Sequence, residues 1–552
     1  MNLLLKAFAF ASAVGATVTL EDPSNIIDVS LDASDNAILA DYSGTPPQEQ
    51  DIPTVATTTF SDTTATVKHK SYTASKNDTS ALLIDTDAVI TMSYIDVYKT
   101  GYSSQLFEAS FYGVNAAVNV ANGSVARISH LNVTTHNGAA NLYSYGEGTY
   151  TYVTDAWLYS SGPAAHGLYA GGYGTVVGRE ISHYSGGNRC SSFAGDSPAG
   201  YVYVYDSIGH TAGIGSATFY ALGTITAENV VGLSEKAPSL FMDGYQTANL
   251  TNVDLTSGLL AGILLFCSSE RESGGLVNIT DSVLTTTGDT MPALWFGNTI
   301  ATINLIDTEI NTASGILVIA NMSQVTQAFD YFAGTADNSN LKPAEATVTV
   351  QESTLTGDIV AYEGSTISWS LSEYTTWTGK AYVAEGTGSF GVYLDSTSNW
   401  TLTGDTTLLN FTSGDTTLGN IDSNGYNIYY DASADANSWL DGATIALSGG
   451  GYCEPSNATT STTTGASGTS TATGSSGTST AAGSSGTGTA SITTATGSGY
   501  SSGATQTTLI TSVTSGATSA GGNTATATPT VTTTVTTTVT ATVTATVTAS
   551  SC

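Results

Sequence analysis

Basic residues are scarce in this chain of 552 residues, which has 12 Lys and Arg against 45 Asp and Glu. The formal net charge is therefore −33 at pH 7, with an isoelectric point of about 4.1. Such an excess of negative charge repels polyanions at long range. The composition argues against nucleic acid, an anionic membrane surface or a polyuronate as the partner.

Cysteine is also rare, with four residues in the chain. Cys190 and Cys267 are 77 residues apart, about three of the repeats described below. In a stack of strands this separation is about 14 Å. A disulfide needs Cα atoms within about 7 Å, so we predict that these two do not pair. Cys453 reaches Cys552 only if the end of the chain folds back, and Cys552 is equally able to link to another molecule.

Metal-binding patterns are missing as well. There is no paired-cysteine motif, no His-x-x-x-His and no Gly-Gly-x-Gly-x-Asp array. The segment at residues 421–427 is more typical of a turn than of a calcium loop. We therefore predict no metal and no cofactor.

Long apolar runs are absent, which argues against a transmembrane span. Residues 1–16 have one early cation at Lys6, an apolar middle and small residues at the end. This arrangement is too short to cross a membrane and predicts a secretory signal peptide, and hence a secreted, extracellular or wall-bound protein.

The sequence does contain a repeat. Acids or amides open successive segments at intervals of 25, 26, 23, 23 and 29 residues, at Asp155, Glu180, Asp206, Asn229, Asn252 and Asp281. Aromatic residues close the segments in step with them, at Tyr169, Phe193, Phe219, Phe241, Phe266 and Trp295. Two markers that follow one period indicate a true repeat.

The repeated segments predict strands. They are short, rich in Val, Ile, Thr and aromatic residues, and bounded by Gly, Ser, Asn and Asp, and no window has a sustained helical period. One unit cannot bury its own apolar face, so successive units must stack. We predict an all-β fold, a single-stranded right-handed parallel β-helix at residues 88–454, with about 12 to 14 coils.

The flanking segments have other compositions. Residues 17–87 are acidic and predict a leader and a cap over the first coil. Residues 455–552 contain no Asp, Glu, Lys or Arg and consist largely of Thr, Ser, Gly and Ala. This composition predicts an unfolded O-glycosylated stalk, through which the protein attaches to a wall. The final Val-Thr repeats are not apolar enough to favour a glycosylphosphatidylinositol anchor.

Asn-x-Ser/Thr sequons predict N-glycosylation in a secreted chain. They lie at Asn77, Asn122, Asn132, Asn249, Asn278, Asn321, Asn399, Asn410 and Asn457.

The column of acids is the first catalytic candidate. Adjacent coils bring Asp155, Glu180 and Asp206 to a spacing of about 5 Å, which suits the carboxylate pair of a retaining glycosidase. The alternative is that Asp and Asn begin turns by bonding to their own backbone. The alternative also explains why Asn229 and Asn252 continue the column without charge.

A polar segment supplies the second candidate. His183 and His210 lie ten and nine residues before the aromatics that close their coils, so we expect them to face one groove. A histidine beside Asp206 can act as general acid or base on a sugar hydroxyl. The alternative is that polar residues collect in the long turns of any solenoid.

The aromatic column is the third candidate. Neighbouring residues in a strand face opposite sides. If the preceding Leu residues point inward, Tyr143, Tyr169, Phe193 and Phe219 form an exposed stripe for glycan contact. If the aromatics point inward, they form an internal stack with no ligand.

The segments "SFYGVNAAV", "THNGAANLYSYG" and "AAHGLYAGGYGTV" resemble secreted, repeat-built proteins of fungi and gut bacteria. These share the right-handed parallel β-helix of the pectin-degrading enzymes and are mostly uncharacterised or adhesin-like. The resemblance covers residues 88–400 and implies no catalytic residues. The Asn-Thr-Asp, Asp-Asp, Gly-His-Gly and Arg-Ile-Lys series of a polygalacturonase is absent.

Taken together, these features favour a structural, adhesive or glycan-contact protein of the cell surface or wall, with extracellular polysaccharide as its partner. The alternative is a secreted hydrolase or lyase that acts on a neutral polysaccharide, because fold does not determine function.

Overall fold

The computed structural model describes residues 49–196, 198–268, 270–322 and 340–456. Over these residues the chain is nearly all β and forms a parallel β-solenoid of about 15 turns. The predicted all-β parallel solenoid is thereby confirmed. Its strands are numbered below in chain order and grouped by sheet.

Two long parallel sheets form the walls. Sheet A consists of β1 (Val55–Ser61), β3 (Thr79–Asp85), β5 (Val118–Ala121), β7 (Leu142–Tyr145), β9 (Leu168–Gly171), β11 (Phe193–Gly195), β13 (Phe219–Ala221), β15 (Leu240–Asp243), β17 (Ile263–Phe266), β19 (Leu294–Gly297), β21 (Ile316–Asn321), β24 (Asp358–Tyr362) and β27 (Ala381–Glu385). Sheet B consists of β2 (Thr64–Ala74), β4 (Val89–Lys99), β6 (Val125–Thr135), β8 (Tyr150–Ser160), β10 (Thr175–Ser185), β12 (Tyr201–Thr211), β14 (Thr224–Ser234), β16 (Thr247–Ser257), β18 (Ser273–Thr286), β20 (Ile300–Thr312), β22 (Glu345–Gln351), β25 (Thr366–Ser372), β28 (Ser389–Leu394) and β31 (Asn410–Ser413).

Two shorter sheets complete the C-terminal turns. Sheet C consists of β23 (Thr354–Thr356), β26 (Thr376–Gly379), β29 (Asn399–Leu402) and β32 (Ile421–Asp422). Sheet D consists of β30 (Thr406–Leu408), β33 (Ile428–Tyr430), β34 (Ile445–Ala446) and β35 (Tyr452–Pro455). A 3-10 helix spans Asp435–Leu440.

The solenoid begins earlier than the sequence predicts. Strands β1 to β3 lie within residues 17–87, the predicted leader and cap, and pair in parallel with β3, β4 and β5. Their alternation of Thr with apolar residues is an ordinary strand pattern, which the acidic composition of the wider segment obscured. The insertion after β4 carries a short helix, α1 (Leu106–Tyr112).

The core is built from columns of side chains that repeat from turn to turn. Leu142, Leu168, Phe193, Phe219 and Leu240 align across sheet A, and each is 0% exposed. A second column, at the ends of the sheet B strands, carries small hydroxyls such as Thr135, Ser160 and Ser185. The apolar area removed from water at every turn supplies the main stabilising free energy.

Two of the predictions concern cysteines and membrane spans. Cys190, Cys267 and Cys453 are free and buried, so Cys190 and Cys267 do not pair, as predicted. No helix in the described part of the chain is long and apolar enough to cross a membrane.

The predicted signal peptide at residues 1–16 lies outside the described residues. So do the first part of the leader, nearly all of the stalk at residues 455–552, Asn457 and Cys552.

Candidate functional site

The predicted column of acids lies where the strands of sheet B bend. Asp155, Glu180 and Asp206 occupy the same position in three 11-residue strands, with φ of 51°, 56° and 51°. Positive φ also occurs at nine further positions of this column, at His69, Tyr94, His130, Asn229, Asn252, Asp281, Asp307, Glu352 and Glu373. Asn and Asp tolerate this left-handed conformation better than most residues do. The column is therefore a repeated backbone bend that extends over these twelve turns.

We call this set of positions the bend column. Its acids contact side chains of neighbouring turns. The His130 ring stacks on Tyr94 at 4.3 Å between centroids, and its Nδ1 lies 2.5 Å from Asp155 Oδ2. Asp206 pairs with Arg179 and accepts a 2.8 Å hydrogen bond from Asn229 Nδ2. The Asp155 side chain is 62% exposed, so these carboxylates lie on an open edge of the solenoid.

We predict that backbone conformation, rather than charge, determines which residues stabilise the bend column. Asn229→Val, with a β-branched side chain at φ 58°, should lower the free energy of unfolding by about 1–2 kcal/mol. Asn229→Gly should leave it unchanged or raise it slightly, because glycine adopts positive φ freely. Urea unfolding followed by circular dichroism measures both variants, and equal losses would contradict the turn role.

The two histidines do not face one groove. His183 aligns with Gly209, whereas His210 aligns with Tyr184, so the two imidazoles lie on opposite faces of sheet B. His183 is 0% exposed, with its ring nitrogens 3.1 Å from Ser160 Oγ and 2.9 Å from Ser192 Oγ. Burial lowers the pKa of His183 to about 3, which makes it a neutral core residue.

His210 is also held by its surroundings. Its Nε2 lies 2.6 Å from Glu235 Oε1, and the residue is 7% exposed. His210 lies four residues after Asp206 in β12, which corresponds to about 13 Å along a strand. The structure therefore does not bring Asp206, His183 and His210 together as an acid–base group.

The predicted aromatic stripe divides into two columns. Tyr143 and Tyr169 align with each other, but Phe193 and Phe219 align with the inward-pointing Leu168. The two Phe rings lie inside the solenoid. Tyr143 and Tyr169 point outward but are also 0% exposed. None of the four rings predicted for glycan contact is accessible to a ligand in this structure.

A different set of aromatic residues is accessible, on the outer face of sheet B. We call it the tyrosine face and define it as Tyr150, Tyr152, Tyr201, Tyr203 and Tyr205. The first two are 43% and 37% exposed, and the other three are half-buried. The intervening residues of β8 and β12 point into the core, as the strict alternation of a strand requires.

Two arginines pack against tyrosine rings of this face. The Arg127 guanidinium lies 4.9 Å from the centroid of Tyr152, and Arg179 lies 4.9 Å from the centroid of Tyr205. Tyr150 and Tyr152 are nearly parallel, with an interplanar angle of 14°. The signal for this face is present in the sequence, because "YTYV" and "YVYVY" place tyrosine at every second residue of a strand.

The sequons differ in accessibility. Asn77, Asn122, Asn132, Asn399 and Asn410 are exposed. Asn249 and Asn278 are half-buried and joined in an amide ladder, in which Asn278 Nδ2 donates to Asn249 Oδ1 at 2.8 Å. Asn321 is half-buried and accepts a 3.0 Å hydrogen bond from Trp295 Nε1. Glycosylation at all of these positions stays a prediction.

Among the described residues, no group of three or more His, Cys, Asp or Glu side chains is arranged to hold a metal ion. No protein-family model and no curated protein matches this chain.

Proposed function

We propose that this chain is a secreted protein of the cell surface or wall whose β-solenoid adheres to a neutral polysaccharide through the tyrosine face. The observation that carries the proposal is the set of five tyrosines, two exposed and three half-buried, on the outer face of sheet B. In this proposal the Ser/Thr-rich segment at residues 455–552 provides the attachment to the wall.

The chemistry of the tyrosine face suits a sugar polymer. Each ring offers an apolar surface for the C–H face of a sugar, and each phenol offers a hydroxyl for hydrogen bonding. Tyrosines on β8 and β12 are two strand spacings apart, about 9.6 Å, so an extended chain can meet several rings. Aromatic residues exposed together on a soluble protein mark an interaction surface.

Charge limits the choice of polysaccharide. A net charge of −33 repels a polyanion as a whole. The Arg179 guanidinium is already paired with Asp206, so this cation is not free to neutralise an acidic polymer. A neutral polysaccharide is therefore the partner with the best match.

We expect the double variant Tyr152→Ala/Tyr203→Ala to bind at least tenfold less tightly than the native protein to the insoluble polysaccharide that retains the native protein, because two stacking surfaces are lost. The measurement is a binding isotherm for the full chain on cellulose, β-1,3-glucan, chitin, mannan and xylan. The matched control is Tyr374→Ala/Tyr393→Ala, which removes two rings that are 77% and 43% exposed outside the tyrosine face.

The proposal would be contradicted if the tyrosine-face variant were retained as well as the native protein. It would also be contradicted if none of the five polymers retained the native protein. The alternative function, a hydrolase or lyase that uses Asp155, Glu180, Asp206, His183 and His210, receives no support from their placement. Soluble sugar released by the native protein but not by Asp206→Asn would revive it.

A further inference from the structure

We propose that the polysaccharide lies parallel to the solenoid axis, with one sugar unit on each strand of sheet B, and that it is an extended β-1,4-linked chain. This inference rests on the proposed function and deepens it, because it continues the tyrosine face along a row of polar residues. We call this row the polar line. It occupies one outward position in consecutive strands of sheet B: Tyr203, Thr226, Asn249, Asn278, Asn304 and Thr349.

The polar line is straight and continuous. Its six members lie in β12, β14, β16, β18, β20 and β22 and pair in register from strand to strand. Each member is half-buried, and the residues on either side of it in its strand are buried. The five strand spacings cover about 24 Å. Tyr152 extends the same row, two strands before Tyr203.

Amide side chains join the middle of the polar line into a ladder. Asn278 Nδ2 donates to Asn249 Oδ1 at 2.8 Å, and Asn304 Nδ2 donates to Asn278 Oδ1 at 2.7 Å. The Thr349 hydroxyl donates to Asn304 Oδ1. Each of these bonds uses one of the two N–H groups of an amide and one of the two lone pairs of its oxygen. The ladder therefore fixes the orientation of the amides, and each of them keeps a donor and an acceptor for a ligand.

The surroundings of the polar line suit a neutral ligand. Two outward residues flank each member in its own strand, and among these twelve residues only Glu228 is charged. The chain as a whole has a net charge of −33. A surface of hydroxyl and amide groups with so little charge matches the hydroxyl groups of a neutral sugar polymer.

The regular spacing of the polar line selects the linkage of the polymer. Its binding groups recur at about 4.8 Å, which is close to the length of one sugar unit in an extended chain. Cellulose, chitin, xylan and β-1,4-linked mannan are extended, so successive sugar units can meet successive strands. A β-1,3-glucan coils, and its units leave a straight row after a few contacts.

Two members of the polar line, Asn249 and Asn278, are also sequons. A glycan on either side-chain nitrogen would cover the line, so the axial arrangement requires both amides to be unmodified. Peptide mapping by mass spectrometry of the protein retained on the polymer measures this. We expect both residues to be unmodified, and a glycan at either one would overturn the proposal.

The first test compares ligand lengths. Calorimetric titration of the full chain uses the trisaccharides and hexasaccharides of cellulose, chitin, mannan, xylan and β-1,3-glucan. We expect the hexasaccharide of at least one β-1,4-linked series to bind at least tenfold more tightly than its trisaccharide, because three further units contact the polar line. A chain that crossed the strands, along Tyr201, Tyr203 and Tyr205, would meet only about 13 Å of surface. Equal affinities for both lengths in all β-1,4-linked series, or tightest binding of the β-1,3-linked hexasaccharide, would overturn the proposal.

The second test changes the polar line itself. Asn304→Leu removes two ladder bonds and should weaken hexasaccharide binding at least fivefold, with trisaccharide binding unchanged. A general loss of folding would weaken both. Thr349→Val keeps the shape of the side chain, removes its hydroxyl and should weaken hexasaccharide binding at least twofold. The matched control is Asn311→Leu, in the same strand as Asn304 but beyond the bend, which should change neither affinity.

The outcomes separate this inference from the proposed adhesion. Suppose that Tyr152→Ala/Tyr203→Ala loses retention on the insoluble polymer while Asn304→Leu and Thr349→Val bind the hexasaccharide as the native protein does. The adhesion through tyrosines would then be supported, and the axial arrangement would be contradicted. No retention of the native protein on any polymer would contradict the adhesion itself.

Discussion

Trp377→Ala should lower the free energy of unfolding of the C-terminal turns by about 3–5 kcal/mol, the usual range for a buried Trp replaced by Ala. Trp377 is 0% exposed and stacks on Trp400 at 4.7 Å between ring centroids. Its Nε1 also donates to Gly357 O at 2.8 Å, so the substitution leaves both a cavity and an unpaired carbonyl.

In a solenoid each turn is stabilised mainly by its neighbours, so the loss should be local. Hydrogen exchange of the native protein, read by mass spectrometry, should show faster exchange across β26 and β29 and little change in β8 to β12. The control is Tyr374→Ala, which truncates a ring that is 77% exposed and should change stability by less than about 0.5 kcal/mol. Equal protection in native protein and Trp377→Ala would show that the stack contributes little.

Lys99 should make the stability of the N-terminal turns depend on pH. Its side chain lies inside the solenoid, in the hydroxyl column, and its Nζ donates to Gly101 O at 2.5 Å. Burial lowers the pKa of Lys99 from 10.5 to about 7, although the charge of Asp78 opposes this. Above pH 7 the unfolded chain then binds more protons than the folded one, so stability rises with pH until the unfolded lysine also loses its proton.

The measurement compares native protein with Lys99→Met by guanidinium unfolding at pH 6, 7.5 and 9. The stability of the native protein minus that of the variant should increase by up to about 1.4 kcal/mol per pH unit between pH 7 and 9. Below pH 7 the difference should be constant, because both states are protonated. Lys76→Met, at an exposed position, should show no such slope; a flat difference for Lys99→Met would contradict the buried amine.

The fold could be predicted from the sequence because its strongest signal is a backbone requirement. The bend of sheet B has a residue with positive φ in twelve turns, and Asp and Asn adopt that conformation more readily than most residues do. The acids at Asp155 and Asp206 therefore marked the period correctly. The same acids also suggested catalysis, since in a sequence a residue that suits a backbone bend looks identical to one that serves as a catalytic acid.

Which side chains point into the solenoid and which point outward was harder to predict. Phe193 follows Leu168 by 25 residues but Tyr169 by 24, and a slip of one residue reverses inside and outside in a strand. Turn lengths vary by more than one residue, so spacing alone cannot assign Phe193 to a column. The strand pairing of the structure settles the assignment.

The tyrosine face can be predicted from the sequence, because tyrosine occupies alternate positions within single strands.

A stack of parallel strands is also a template on which further strands can assemble. In the described part of the chain β2 is the terminal strand of sheet B, with only β4 as its neighbour. Lys68 and Lys70 are exposed on this strand, and they flank the His69 bend. A second copy of this strand placed alongside would bring like charges together, about 4.8 Å apart. The two lysines therefore disfavour head-to-head pairing of two copies of the protein through β2.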